Sequence, residues 1–149
     1  MIFAGEYEYR IDPQGRTSVP ARFRPAFETG IVLSRGYDRC LMVYTTEGFT
    51  RLAGEIGRQS ATRSDARKLG RLTFAGAYEL ALDRHGRVLV PGPLREYAGL
   101  DEAVVFIGVG RFLEIWSREA WDEERSSLDD EAAEIAERAG EPGIVEEDR

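Results

Sequence analysis

One cysteine, one histidine and one lysine stand in a chain of 149 residues, and each scarcity removes a class of function. Cys40 has no intrachain disulfide partner. Set in the apolar run Cys40-Leu41-Met42-Val43-Tyr44, it reads as a small buried hydrophobe in a protein of the reducing cytoplasm. His85 lies in an expected turn beside Gly86, with no second histidine and no cysteine pair to build a metal site. Cys40 and His85 suggest no nucleophile–base pairing, so no enzyme is expected. No apolar run approaches the roughly 18 residues of a membrane helix. Met1-Ile2-Phe3-Ala4-Gly5-Glu6 shows neither the basic nor the apolar region of a signal peptide. Gly108-Val109-Gly110 has Leu113 where a dinucleotide loop needs its third glycine and leads into a strand, so no cofactor is expected either.

What is present is charge, unevenly placed. The formal net charge is −7. From Glu114 onward there are 14 acids and 4 arginines, a balance of −10, which leaves +3 on the first 113 residues. Nineteen of the 20 basic residues are Arg, the exception being Lys68. Arg suits bidentate recognition of phosphates and guanines, although a GC-rich genome produces the same bias.

The chain also repeats itself, the feature to seek first. Phe3-Ala4-Gly5-Glu6-Tyr7-Glu8 recurs 71 positions later as Phe74-Ala75-Gly76-Ala77-Tyr78-Glu79. At that offset Asp12, Gly15, Arg16, Val19, Pro20 and Arg24 match Asp83, Gly86, Arg87, Val90, Pro91 and Arg95, making 11 identities over positions 3 to 24. At offset 72, Gly36, Arg39, Leu41 and Glu47 match Gly108, Arg111, Leu113 and Glu119. Gly36 and Gly108 are read as equivalent hairpin glycines.

Each copy reads as strand, turn, strand, short helical turn and hairpin. Tyr7-Glu8-Tyr9-Arg10-Ile11 alternates with the period of a half-buried strand. Asp12-Pro13-Gln14-Gly15 fits a type I turn, and Asp83-Arg84-His85-Gly86 keeps its Asp and Gly. Pro20 and Pro91 open helical segments, and Gly99 can end the second. A unit of about 45 residues buries too little surface to stand alone, so one composite β core with approximate two-fold symmetry is expected. Thr45 or Thr46 can cap a helix carrying Phe49, Leu52 and Ile56, running with a possible break towards Leu69. Ser117 can cap a C-terminal helix with Trp121, Leu128 and Ile135 as its apolar stripe. The expected divisions are a first unit over 5–47, a helical connection over 48–73, a second unit over 76–119, a helix over 120–139 and a disordered tail over 140–149.

The duplicated Asp-x-x-x-Arg, Asp12 with Arg16 and Asp83 with Arg87, is the one constellation that carries chemistry. Asp at the head of such a turn bonds its own backbone, and an Arg beside it can form a surface ion pair of little value. Yet Arg10, Arg22 and Arg24 cluster around the first turn, and Arg84 and Arg95 around the second, with no reason in stability for so many guanidiniums. An Arg steadied by a carboxylate is a rigid donor fork for guanine O6 and N7. Direct readout by Arg16 and Arg87, presented on the two turns, is expected. Arg10, Arg22, Arg24, Arg84 and Arg95 are candidate phosphate contacts, with Arg24 and Arg95 the best placed for a structural role because each follows a core residue. Whether Asp12 and Asp83 orient these arginines or only build the turns stays open.

These ordered, doubled motifs (Gly5-Glu6-Tyr7, Ile11-Asp12-x-x-Gly15-Arg16, Val19-Pro20-Ala21-Arg22-Phe23-Arg24, Leu82-Asp83-x-x-Gly86-Arg87-Val88-Leu89-Val90-Pro91, Tyr97-Ala98-Gly99-Leu100 and Ile115-Trp116-Ser117) resemble the MraZ family from Met1 to about Glu137. The resemblance implies an α+β fold with a mainly β core, in which tandem AbrB-like swapped-hairpin units form one pseudo-two-fold barrel with flanking helices. It further implies a homo-oligomeric ring, cytoplasmic and nucleoid-associated. The ring would bind repeated double-stranded promoter DNA sites in the division and cell wall gene cluster, its own gene included, with no membrane, cofactor or small-molecule substrate involved. Pro93 stands where the first copy has Arg22, so the two loops need not contribute equally. The alternative is a ring-forming protein-interaction module that does not bind DNA.

Overall fold

The computed structural model describes residues 1–140, so all but Gly140 of the expected tail lies outside the described residues. The chain divides into two compact units, Met1–Arg118 and a second that begins at Glu119. The first holds β1 (Glu6–Arg10), β2 (Arg16–Ser18), a 3₁₀ segment (Ala21–Phe27), β3 (Ile31–Arg35), β4 (Leu41–Thr45), α1 (Thr46–Gly57), α2 (Ser64–Ala75), β5 (Tyr78–Leu80), β6 (Arg87–Leu89), α3 (Gly92–Tyr97), β7 (Ala103–Gly108) and β8 (Leu113–Ser117). The long helix α4 (Arg118–Ala139) follows.

All strand pairs are antiparallel. Six strands form a sheet in the order β1-β7-β8-β4-β3-β5, and β2 and β6 form a separate ribbon. Each copy keeps its own hairpin, β3–β4 or β7–β8, but lends its first strand to the other copy, β1 to β7 and β5 to β3. The two copies therefore complete one another, as their small size requires. No closed barrel forms among the described residues; the architecture is α+β, a mainly antiparallel sheet flanked by helices.

The register locates the internal symmetry. Thr17 pairs with Val88, its own equivalent 71 positions on, and Met42 pairs with Glu114, its equivalent at 72. An approximate two-fold axis thus relates the copies through the middle of both the ribbon and the sheet. The same register corrects the alignment between these points. Ile31 faces Thr45 as Val104 faces Ser117, an offset of 73 for β3 and β7. Gly36 and Gly108 are therefore not equivalent. Gly108 is the last residue of β7, paired with Leu113, whereas Gly36 lies past β3 and its N–H bonds the Cys40 carbonyl at 2.7 Å. An insertion inside a hairpin moves residues between strand and turn, which identity alone does not reveal.

Alternation along the strands decides the core. Ile31, Leu33, Leu41, Val43, Val104, Phe106, Leu113 and Ile115 share one sheet face, packed with Phe23, Phe27 and Leu94 and with Val19, Val88 and Val90 beside the ribbon. Phe23 and Phe27 are fully buried, and truncating either to Ala would cost about 3–5 kcal/mol. The first of these helical segments is 3₁₀ because Pro25 inside it lacks the N–H an α-turn needs. Its equivalent, Glu96, lets α3 form normally. On the other sheet face Phe49 and Leu52 of α1 cover Val32, Met42 and Tyr44. Thr45 is the cap of α1, its hydroxyl accepting the Gly48 N–H at 2.9 Å. The expected helix is broken over 58–63, and α2 is tied to the sheet where Ser34 Oγ donates to the Thr73 carbonyl at 2.8 Å.

Candidate nucleic-acid interface

Two turns of the same construction enter the ribbon. In the first, the Asp12 N–H bonds the Arg16 carbonyl at 2.8 Å and the Gly15 N–H bonds the Asp12 carbonyl at 2.9 Å. Asp12 Oδ1 accepts the backbone N–H groups of Gln14 and Arg16, both at 2.9 Å. In the second, Asp83 Oδ1 accepts the N–H groups of His85 at 2.8 Å and Arg87 at 3.0 Å. Gly15 and Gly86 close the turns at φ of 91° and 77°, a region that favours glycine. These amide donors hold the carboxylates in their charged form. The Arg16 N–H foremost lowers the Asp12 pKa, and the Arg87 N–H foremost brings Asp83 down to about 2.

Beyond the backbone the two turns differ. Arg87 Nε donates to Asp83 Oδ2 at 3.0 Å, and its NH1 lies 3.8 Å from Asp12 Oδ2 across the ribbon. Arg16 instead donates through NH1 to Gln14 Oε1. Asp12 bonds the backbone of Arg16, while Asp83 bonds both the backbone and the guanidinium of Arg87. One arginine sits between two carboxylates, one from each copy; the other rests on a neutral amide.

Neither arginine is at a turn tip. Arg16 opens β2 and Arg87 opens β6, each half-buried. Because strand side chains alternate, burial of Thr17 and Val88 turns Arg16, Ser18, Arg87 and Leu89 to the outer ribbon face. Leu89 is 48% exposed there. Ser18, Leu89 and Gln14 were not expected to belong to the site. The alternation in Arg16-Thr17-Ser18 and Arg87-Val88-Leu89 is the signal that reveals the first two.

The remaining arginines separate. Arg24 Nε donates to the Val19 carbonyl at 2.9 Å and Arg95 Nε to the Val90 carbonyl at 3.1 Å. Arg24 packs on Gly86 and Arg95 on Gly15, so each latches the other copy's turn. Arg84 is exposed in the second turn. Arg10 pairs with Glu102 at 3.3 Å, a contact exposed on both sides. Arg22 lies over the Phe23 ring at 5.1 Å and donates to the Tyr7 hydroxyl at 3.4 Å. The structure thus gathers Arg16, Arg87, Asp12 and Asp83 on the ribbon, gives Arg24 and Arg95 structural bonds, and gives Arg10 and Arg22 partners elsewhere. Among the described residues no group of three His, Cys, Asp or Glu could hold a metal ion, and no helix is long and apolar enough to cross a membrane.

Comparison with known proteins matches a family model described as "MraZ protein, putative antitoxin-like" twice, over residues 2–72 and 73–141. A protein of Moorella thermoacetica named Transcriptional regulator MraZ is 44% identical over 137 residues, covering 92% of this chain and 96% of the relative. Proteins of the same name from Herpetosiphon aurantiacus and Roseiflexus castenholzii are 42% and 41% identical, covering 96% and 94% of this chain and 100% and 98% of the relatives.

Proposed function

The chain belongs to the MraZ family, and from that membership we propose that it is a sequence-specific DNA-binding regulator whose β2–β6 ribbon enters the major groove. The groove is about 12 Å wide and admits a two-stranded antiparallel ribbon. The observation that carries the reading is the outer ribbon face, where the two arginines of the duplicated motif stand together above a buried Thr17–Val88 pair. Arg16, held by an amide, presents its fork to guanine O6 and N7. Arg87 joins it from the second copy, and Arg84 on the exposed turn contacts phosphate. Ser18 and Leu89 complete the contact surface, the latter suited to a thymine methyl.

The targets are repeated promoter sites of the division and cell wall gene cluster, this gene's own promoter among them, and the protein acts in the nucleoid. A body with a balance of only +3 grips one site weakly. The working species is therefore a homo-oligomeric ring of these strand-exchanged pseudo-two-fold units that engages several repeats at once, gaining roughly 10²–10⁴ in avidity.

A gel-shift titration on the chain's own upstream region, run at several salt concentrations, tests this. The expected result is tight binding to fragments with several repeats, weak binding to one repeat, and affinity that falls steeply with salt as phosphate contacts require. Salt-independent binding, or none to that region, would favour a protein-interaction module over a DNA reader.

A further inference from the structure

Outside the ribbon, two helices among the described residues carry opposite charge. Along α2 and the residue before it, Arg63, Arg67 and Arg71 recur every fourth position with Lys68 beside them, and all four are exposed. Arg67 donates to the Ala61 carbonyl at 2.9 Å. Among the described residues the side chains of Arg63, Lys68 and Arg71 make no hydrogen bond or ion pair. Residues 46–75 hold six basic and three acidic side chains, so this segment alone accounts for the +3 balance of the body.

The counterpart is α4, which holds nine acidic and three basic residues. Its outer half also carries an apolar seam, Leu128, Ala132, Ile135 and Ala139, spaced four, three and four apart as in a packed helix. Leu128 is 37% exposed, and Ala132 and Ala139 are exposed as well. Helices in proteins owe most of their stability to packing such a face. Two α4 helices cannot serve each other well, since that sets a balance of −6 against another −6.

We propose that the basic face of α2 receives the acidic outer half of α4 from a second copy of the chain. This rests on the oligomeric part of the reading above. Phe74, 39% exposed at the end of α2, offers an apolar seat beside the cations. DNA is the less fitting occupant for α2. The helix bonds Ser34 on the sheet face that carries Val32, while the ribbon packs with Ile31 and Leu33 on the opposite face. A partner on α2 therefore leaves Arg16 and Arg87 free. Because the two surfaces differ, the contact is head-to-tail and propagates from copy to copy into a ring or an open chain.

Two full-length variants test it, Arg67→Glu/Arg71→Glu and Asp129→Arg/Asp130→Arg/Glu137→Arg, with circular dichroism to confirm that both fold. Light scattering should give the wild type a multiple of 16.7 kDa and each variant alone about one chain. An equimolar mixture of the two should recover the wild-type mass, since each reversed face then meets a reversed partner. Either variant keeping the wild-type mass, or a mixture that stays monomeric, overturns the contact while the oligomer stands. Loss of DNA affinity at unchanged mass in the α2 variant also overturns it and makes α2 a phosphate surface. A monomeric wild type removes the oligomeric reading itself.

Discussion

Arg87 reaches the Asp12 carboxylate of the other copy at 3.8 Å, whereas the equivalent Arg16 forms no such bridge to Asp83. A duplicated motif has thus acquired two unequal forms. Arg16→Ala should weaken operator binding by about 5- to 150-fold, the 1–3 kcal/mol of a bidentate guanine contact, with an unchanged melting temperature. Arg87→Ala should weaken binding and also lower the melting temperature slightly, because it leaves two carboxylates without their shared cation. Gel-shift titration and thermal melts on the same preparations separate the effects. Operator affinity retained in folded Arg16→Ala would end the readout role of that residue.

The turn aspartates make acid sensitivity directional. Asp83 has a pKa near 2 in the fold against an ordinary 3.8, so between those values the unfolded chain binds more protons and stability rises with pH. Its contribution is fully present above about pH 4 and is lost as the pH falls towards 2; Asp12 shifts in the same direction. Asn keeps the turn bond to the backbone but not the charge. Melts of wild type and Asp83→Asn should differ most at neutral pH and converge near pH 2. Asp12→Asn should change DNA binding little, since Asp12 chiefly bonds the turn backbone, makes no hydrogen bond to the Arg16 guanidinium and reaches Arg87 only at 3.8 Å, where Asp83 still holds it. A large loss of binding there, with unaltered melting, would assign Asp12 an orienting role.

Thr17 sits on the symmetry axis, 1% exposed, and its hydroxyl has no partner among the described residues. Its mate Val88 solves the same packing position with a methyl. A buried hydroxyl left unsatisfied costs about 1–3 kcal/mol. Thr17→Val should therefore raise stability by about 1 kcal/mol, read from the denaturant midpoint at constant m-value. A lower midpoint would mean that the hydroxyl has a role in the ribbon that packing does not show.

The two turn glycines should not tolerate substitution equally. Both have left-handed φ, where an L-residue costs about 1–2 kcal/mol. A Cβ at Gly86 would also strike the Arg24 guanidinium, whereas at Gly15 it would meet Arg95 at 3.3 Å. Gly86→Ala should accordingly lower the melting temperature more than Gly15→Ala. Equal losses would show that backbone strain alone governs both positions.

Much of this is legible in the sequence. The repeat is plain from its identities at an offset of 71, and the Asp–Gly turns, the proline-led helical segments and a cap at Thr45 or Thr46 are local matters, set by the conformations that Asp, Gly, Pro and Thr permit within four residues. The structural role of Arg24 and Arg95 was foreshadowed by their place after Phe23 and Leu94. What the sequence could not determine depends on strands far apart in the chain. Only pairing decides that β1 leaves its own copy for β7, that β3 and β7 are offset by 73, and that Gly36 and Gly108 differ. Pairing also sets Arg16 and Arg87 on one ribbon face, and it alone draws Arg87 to Asp12 while Arg16 turns to Gln14. Local sequence fixes which backbone conformations are cheap; which carboxylate meets which arginine is settled when buried Thr17 and Val88 bring the two copies together.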